Sequence, residues 1–270
     1  MKKKGSRIFS NTILLILAGI SVIPFVYMII TSLKVTYNSF DFSISLSSLT
    51  LSNYVEIFSN KNFGRYFLNS AFISVSGVIL TLVFSSLAGY AFAKLEFKGN
   101  DKIFLFIVLT MIVPAQVTMV PLYIIMKYLG WLNTYWALII PIPSAFGVFI
   151  MRQAILNVPK ELLESAKIDG YSDLKILIKI VIPLVKPALI TLSIFTFMGA
   201  WNSFLWPLVV TTKDAMRTLP LAMSTMQLQH INNYGSSMAS ATIGFLPPFI
   251  FYLILQRKFV DGVSLSGIKG

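Results

Sequence analysis

The 270-residue chain is 56% hydrophobic and only 12% charged, with a mean hydropathy of +0.78 and a formal net charge of +12. Soluble domains carry about 25% charged residues, so the balance argues against a water-soluble enzyme and for an integral membrane protein. There is no cysteine, which removes disulfide frameworks and thiolate chemistry.

Six windows contain no Asp, Glu, Lys or Arg: Ile8 to Leu33, Tyr66 to Ala93, Ile103 to Met126, Tyr128 to Met151, Pro187 to Thr212 and Thr218 to Gln256. Each exceeds the ~20 residues that cross ~30 Å of hydrocarbon. They predict an all-α integral membrane fold, one domain over 1–270 with six spans near 9–33, 69–93, 103–126, 132–151, 187–209 and 237–256. The first window follows Lys2, Lys3, Lys4 and Arg7. It is longer than the ~7–15 residues of a signal-peptide core and lacks a small-x-small site, so it reads as a retained signal anchor.

The segment from Lys34 to Arg65 is serine-rich at first (Ser43, Ser45, Ser47, Ser48, Ser52) and then aromatic, through Asn53-Tyr54-Val55-Glu56-Ile57-Phe58 and Phe63-Gly64-Arg65-Tyr66-Phe67. Aromatics at this density suit a helix at the membrane interface, either as a simple aromatic belt or as a gating element. Proline recurs inside the windows, at Pro24, Pro114, Pro121, Pro141, Pro143, Pro247 and Pro248. Each removes an N–H from the helical ladder, so every one marks either a break or the proline content usual in membrane helices. No window holds a carboxylate, which disfavours proton or sodium coupling. In the last window Gln227, Gln229, His230, Asn232 and Asn233 are polar. They belong outside the membrane or along a cavity, and His230 has no metal-spaced partner.

Sorting the 22 basic residues by connection leaves 16 on the side of both termini and 6 (Lys34, Lys61, Arg65, Lys127, Lys213, Arg217) on the other. The positive-inside rule then puts both termini in the cytoplasm. The basic balance is a topology signal, not the mark of a nucleic-acid partner.

The cytoplasmic stretch from Arg152 to Lys186 is the one long enough to form structure on that side. Pro159 fits the first turn of a helix, Glu161 and Glu164 suit its positive end, and Gly170 fits a left-handed C-terminal position. Leu162, Ser165, Ala166 and Asp169 share one side of that helix, with small residues that permit close approach by another backbone. A second, amphipathic helix is expected from about Ser172 to just before Pro183. The shape suits a docking knob, and equally a solvated helical loop.

The run Glu164-Ser165-Ala166, three residues, Gly170, nine residues, Ile180-Val181-Ile182-Pro183 resembles the EAA loop of bacterial ABC importer permeases, E-A-A-x3-G-x9-I-x-L-P, with Ser165 and Ile182 as departures. Nearly the whole chain is similar to the maltose-type carbohydrate permeases of the MalG kind. The similarity is carried by Asn53-Tyr54, Phe67-Leu68-Asn69-Ser70, Pro114-Ala115-Gln116-Val117, Pro121-Leu122-Tyr123, Trp201-Asn202-Ser203-Phe204-Leu205-Trp206-Pro207 and the tail from Gln256 to Gly262 and Gly267 to Gly270. The resemblance implies a type I importer permease that pairs with a second, homologous permease, two cytoplasmic ATPases and an extracytoplasmic sugar-binding protein. It also implies that Glu164, Ser165, Ala166, Asp169, Gly170 and Pro183 form the ATPase-coupling element, with ATP held by the partners and no cofactor or metal on this chain. A phosphate loop is absent: Gly262 to Gly267 followed by Ile268-Lys269 lacks the Gly-Lys-[Ser/Thr] ending.

A path for neutral sugars needs aromatic faces and uncharged hydrogen-bonding groups. Gln116, Trp201, Asn202 and Trp206, with Tyr123 and Ser203, are the candidates. No Lys or Arg lies in the windows to meet a phosphate. Import of a polyol or glycerol phosphate by the same architecture ranks behind sugar import. A multi-pass lipid-processing enzyme ranks behind both, because it needs clustered acids, histidines or basic groups that the sequence does not supply.

Overall fold

A computed structural model describes residues 2–38, 48–59, 61–229 and 233–266. Ser43, Ser45, Ser47, His230, Asn232 and the tail from Gly267 to Gly270 lie outside the described residues. Among the described residues every regular element is helical. In order they are α1 (Lys2–Ser32), α2 (Ser52–Ser59), α3 (Phe63–Lys94), α4 (Asn100–Thr110), α5 (Ala115–Tyr128), α6 (Tyr135–Ile139), α7 (Ala145–Leu156), α8 (Lys160–Ile168) and α9 (Asp173–Ile176). A π-helical stretch (Leu177–Val181) leads to α10 (Ile182–Leu184), α11 (Lys186–Trp201), α12 (Leu205–Val210), α13 (Leu219–Gln229) and α14 (Tyr234–Ser266).

Phe9–Ser32, Phe63–Lys94 and Tyr234–Gln256 are each long and apolar enough to cross a membrane. Two further stretches qualify only as bent pairs, α4 with α5 at 101° and Asp173–Leu184 with α11 at 82°, giving three spans or up to five among the described residues. The third window, expected as one span over 103–126, takes the broken form that its prolines left open. It breaks between Thr110 and Ala115, where Pro114 holds an extended backbone (φ −60°, ψ 136°). Pro141 and Pro143 likewise fall between α6 and α7, whereas Pro24 and Pro121 are carried inside α1 and α5. The fifth window ends its first helix at Trp201 and resumes only at Leu205.

Two compact units organise these helices. The first comprises the described residues of Met1–Gly64 and Ala222–Pro247. Its polar centre is Asn53, 1% exposed. The side-chain amide of Asn53 donates to the carbonyls of Ser32 at 2.8 Å and Lys34 at 2.7 Å, and its oxygen accepts from Ser236 at 3.3 Å. Tyr234 N–H donates to Thr36 O at 2.8 Å, and the Ser32 and Tyr54 hydroxyls meet at 2.7 Å. These bonds satisfy the carbonyls left open where α1 ends. The Asn53-Tyr54 pair is thus a scaffold, joining the end of α1 to α2 and the start of α14.

The second unit comprises the described residues of Arg65–Leu221 and Pro248–Gly270. Here α3 and α7 approach closely at glycines: a Cβ on Gly89 would sit 2.7 Å from Met151 Cβ and 2.9 Å from Arg152 N, and one on Gly147 would run into Ser85. Small residues at such crossings let membrane helices pack backbone to backbone. At the other end of α3, Asn69 donates to the carbonyls of Ala215 and Arg217, both at 2.9 Å, and accepts from the Tyr135 hydroxyl at 2.7 Å. Trp206 is anchored by its indole N–H on Ala137 O at 2.8 Å.

Candidate functional site

The loop after α7 forms a helix, a glycine break and a second helical run. Pro159 precedes α8 in an extended conformation (φ −56°, ψ 136°), and Glu161 lies in the first turn. At the other end Gly170 adopts φ +78°. Gly170 N–H donates to Lys167 O at 3.0 Å and Tyr171 N–H to Ala166 O at 2.9 Å, the paired bonds of a Schellman ending. Ser172 then caps the next helix by accepting from Lys175 N–H, and Lys175 Nζ lies 3.8 Å over the Tyr171 ring.

The expected stop at Pro183 does not occur there. The backbone widens into the π-helical stretch Leu177–Val181, accommodates Pro183 within α10, and ends at Val185 (φ −96°, ψ 16°) before turning into α11. Widening by one residue per turn changes the hydrogen-bond register ahead of the proline, which has no N–H to offer.

Leu163 and Ala166 are the buried stripe of α8, and they pack with Met151, Ile155, Ile176, Leu177 and Val181. Ala166 therefore faces the chain's own core. Glu164, Ser165, Asp169 and Gly170 face outward, with Leu162 at 45% exposure and Ile168 at 87%. Ile168 is a large apolar side chain standing in a charged segment, and sequence reasoning passed over it. Its signal was a hydrophobic residue immediately before the Asp169-Gly170 helix end.

A cavity of about 420 Å³ lies within the second unit, walled by residues of α3, α5, α7, α11 and α12. All its lining residues are uncharged, with Phe146, Phe195 and Trp206 as aromatic walls and Thr118, Ser144 and Ser203 among the hydroxyls. Of the six path candidates only Trp206 and Ser203 line it. Trp201 is 1% exposed, stacked on Phe197 at 5.7 Å and edge-on to Phe67 at 5.6 Å, a core residue. Gln116 and Asn202 lie exposed and are not among this cavity's lining residues, although their neighbours Ala115 and Ser203 are. The arrangement admits an uncharged ligand and offers no counter-ion to a phosphate or carboxylate. Among the described residues no group of three or more His, Cys, Asp or Glu is placed to hold a metal ion.

Residues 81–265 match the family model described as binding-protein-dependent transport system inner membrane component. The chain is 37% identical to the arabinooligosaccharides transport system permease protein AraQ of Halalkalibacterium halodurans, over 100% of both chains. It is 31% identical to the lactose transport system permease protein LacG of Rhizobium radiobacter, covering 100% of this chain and 98% of that one. Among solved structures it matches a chain of a bacterial ABC transporter involved in import of the acidic polysaccharide alginate, with TM-score 0.81 and 26% identity over 94% of this chain and 97% of that chain.

Proposed function

The chain belongs to the family of binding-protein-dependent transport system inner membrane components, and on that footing we propose that it is the permease subunit of an ATP-driven sugar importer, of the MalG kind. It is a transport permease and not an enzyme. The relatives named for arabinooligosaccharides and lactose support a mono- or oligosaccharide cargo, and the uncharged cavity with Trp206 in its wall favours a neutral one. Trp206 lines the path, Trp201 supports it from the core, and Gln116 and Asn202 face outward toward a second, homologous permease.

In this reading 1–270 is one permease domain with six spans, formed by α1, α3, the bent pair α4 and α5, α6 with α7, α11, and α14. Both termini are cytoplasmic. Two ATPase subunits dock beneath it and an extracytoplasmic sugar-binding protein delivers cargo from above. Glu164, Ser165, Asp169 and Gly170, with Leu162 and Ile168, present the docking surface, while Ala166 and Pro183 fix the loop behind it. ATP binds and is hydrolysed on the partners; closure of their dimer pushes on α8 and shifts the population between outward and inward openings.

The observation that carries this reading is the exposed, glycine-ended α8 in the middle of the family-matched segment. The test is Gly170→Asp. A Cβ there meets nothing within 4 Å; the left-handed backbone at φ +78° costs a residue with a Cβ about 1 kcal/mol, and Asp is among those that visit it, so the variant inserts and folds with a small loss of stability confined to the end of α8. The added charge and bulk at the docking surface abolish ATPase recruitment and uptake. Normal uptake by a well-expressed variant overturns the reading.

A further inference from the structure

The cytoplasmic end of α3 is bound to the loop by directional polar contacts. The Tyr90 hydroxyl donates to Asp173 Oδ1 at 3.1 Å. The same oxygen lies 3.3 Å from Lys167 Nζ, in the last turn of α8. One turn further along α3, Lys94 Nζ donates to Val158 O at 2.7 Å, just ahead of α8. Around these bonds the Tyr90 ring is buried with Leu163, Ala166, Ile176 and Leu177.

The two kinds of contact do different work. Apolar packing is non-directional, so it resists separation of α8 from α3 but gives less resistance to sliding. A hydrogen bond to a carboxylate is directional and stronger than a neutral one, so it fixes register. The Lys167 ion pair is half-exposed and contributes little alone; its value lies in sharing an oxygen with Tyr90.

We propose that Asp173 is a positioning residue that makes α8 and α3 one rigid body, so that a push received on α8 is delivered to a span whose contacting residue is 83 positions away. This rests on the reading of α8 as the ATPase-facing helix. It assigns Tyr90 and Asp173 to transmission, without contact to cargo or nucleotide.

The native chain has no cysteine, so spin labels attach only where cysteines are introduced. Labels at Lys160→Cys and Leu87→Cys report on α8 and α3 in the complete transporter, assembled with cysteine-free partner subunits and measured with and without ATP plus vanadate. In the wild-type background the distance between labels stays constant on closure. Tyr90→Phe removes only the hydroxyl. It leaves the resting distance and ATPase retention unchanged, yet on closure the distance shifts by on the order of 2 Å, the scale of interface helix shifts. Asp173→Ala behaves alike, and the double variant shifts no further than Asp173→Ala alone. A wild-type distance that changes on closure, or variants that hold it constant, overturns the inference. Undiminished ATPase retention by Gly170→Asp instead removes the reading on which it rests.

Discussion

Gly89→Ala tests the close passage of α3 and α7 on which the loop stands. The new methyl would lie 2.7 Å from Met151 Cβ, 2.9 Å from Arg152 N and 3.0 Å from Met151 C. Two of these atoms are backbone, so no rotamer change relieves the contact and α7 itself must move outward. Overpacking of this kind costs 1–3 kcal/mol, and with backbone as the obstacle the expected loss is about 3 kcal/mol, less the ~0.5–1 kcal/mol that Ala gains over Gly in a helix. Gly64→Ala is the control: it lies near the start of α3 with nothing within 4 Å of its Cβ, so it is neutral or slightly stabilising. Thermal unfolding midpoints of the purified variants in detergent provide the comparison. A second consequence is functional. Met151 and Ile155 form the floor under Leu163 and Ala166, so Gly89→Ala also weakens ATPase retention with the α8 sequence intact. A Gly89→Ala midpoint at or above wild type refutes the close approach.

Asn53→Leu keeps the branched shape but leaves the Ser32 and Lys34 carbonyls without their amide partner; each orphaned group costs about 1–3 kcal/mol, so the midpoint falls clearly, and Asn53→Asp, which loses both donated bonds and sets a carboxylate against the two carbonyls, falls at least as far. Trp201→Ala empties a stacked core position and is expected to cost about 3–5 kcal/mol, lowering the amount of folded protein. Trp206→Phe keeps the aromatic wall but drops the bond to Ala137 O, costing about 1 kcal/mol while changing uptake, read as a rise in half-saturating sugar concentration or an altered order of preference among sugars. Ile168→Asp places a charge on the most exposed apolar residue of α8 and, with stability unchanged, reduces ATPase co-purification; full retention counts against that residue as a docking contact.

The parts of the loop that were legible in sequence are those written into the backbone. Pro159 fixes its own φ and Gly170 permits a left-handed one without a Cβ penalty, and the helix between them has ends within a residue of those expected, Pro159 standing just ahead of the first turn. The rotation of α8 was not legible in the same way. The buried stripe is Leu163 with Ala166, set by Ile176 and Val181 across the turn. Spacing alone grouped Leu162, Ser165, Ala166 and Asp169, because a nine-residue helix with leucines at adjacent positions satisfies either rotation. The tryptophans show the same limit. Trp201 and Trp206 are five residues apart in one uncharged window, but the helix breaks at Asn202 and restarts at Leu205. That break leaves one tryptophan in the aromatic core and the other in the cavity wall, which composition does not encode. Asn53 carried a family resemblance without its reason, since the carbonyls it serves lie 19 and 21 residues away.

Two of the basic residues that the charge count groups on one side also build the joint between α3 and α7, and one physical cause serves both. A helix ending at a membrane surface leaves its last carbonyls open and its negative dipole end outward, so a nearby lysine or arginine finds acceptors without leaving the interface. Lys94 does this at the end of α7, through Leu156 O and Val158 O at 3.4 and 2.7 Å. Arg152 does it at the end of α3, donating from Nε to Phe92 O at 3.2 Å while its guanidinium covers the Phe104 ring at 4.1 Å and meets Asp101 at 3.5 Å. Each of the two helices thus supplies the cation that closes the other's C-terminal end. The charge asymmetry of the sequence and the ties between α3 and α7 draw on the same side chains, so replacing Lys94 or Arg152 by a neutral residue removes a tie as well as a charge.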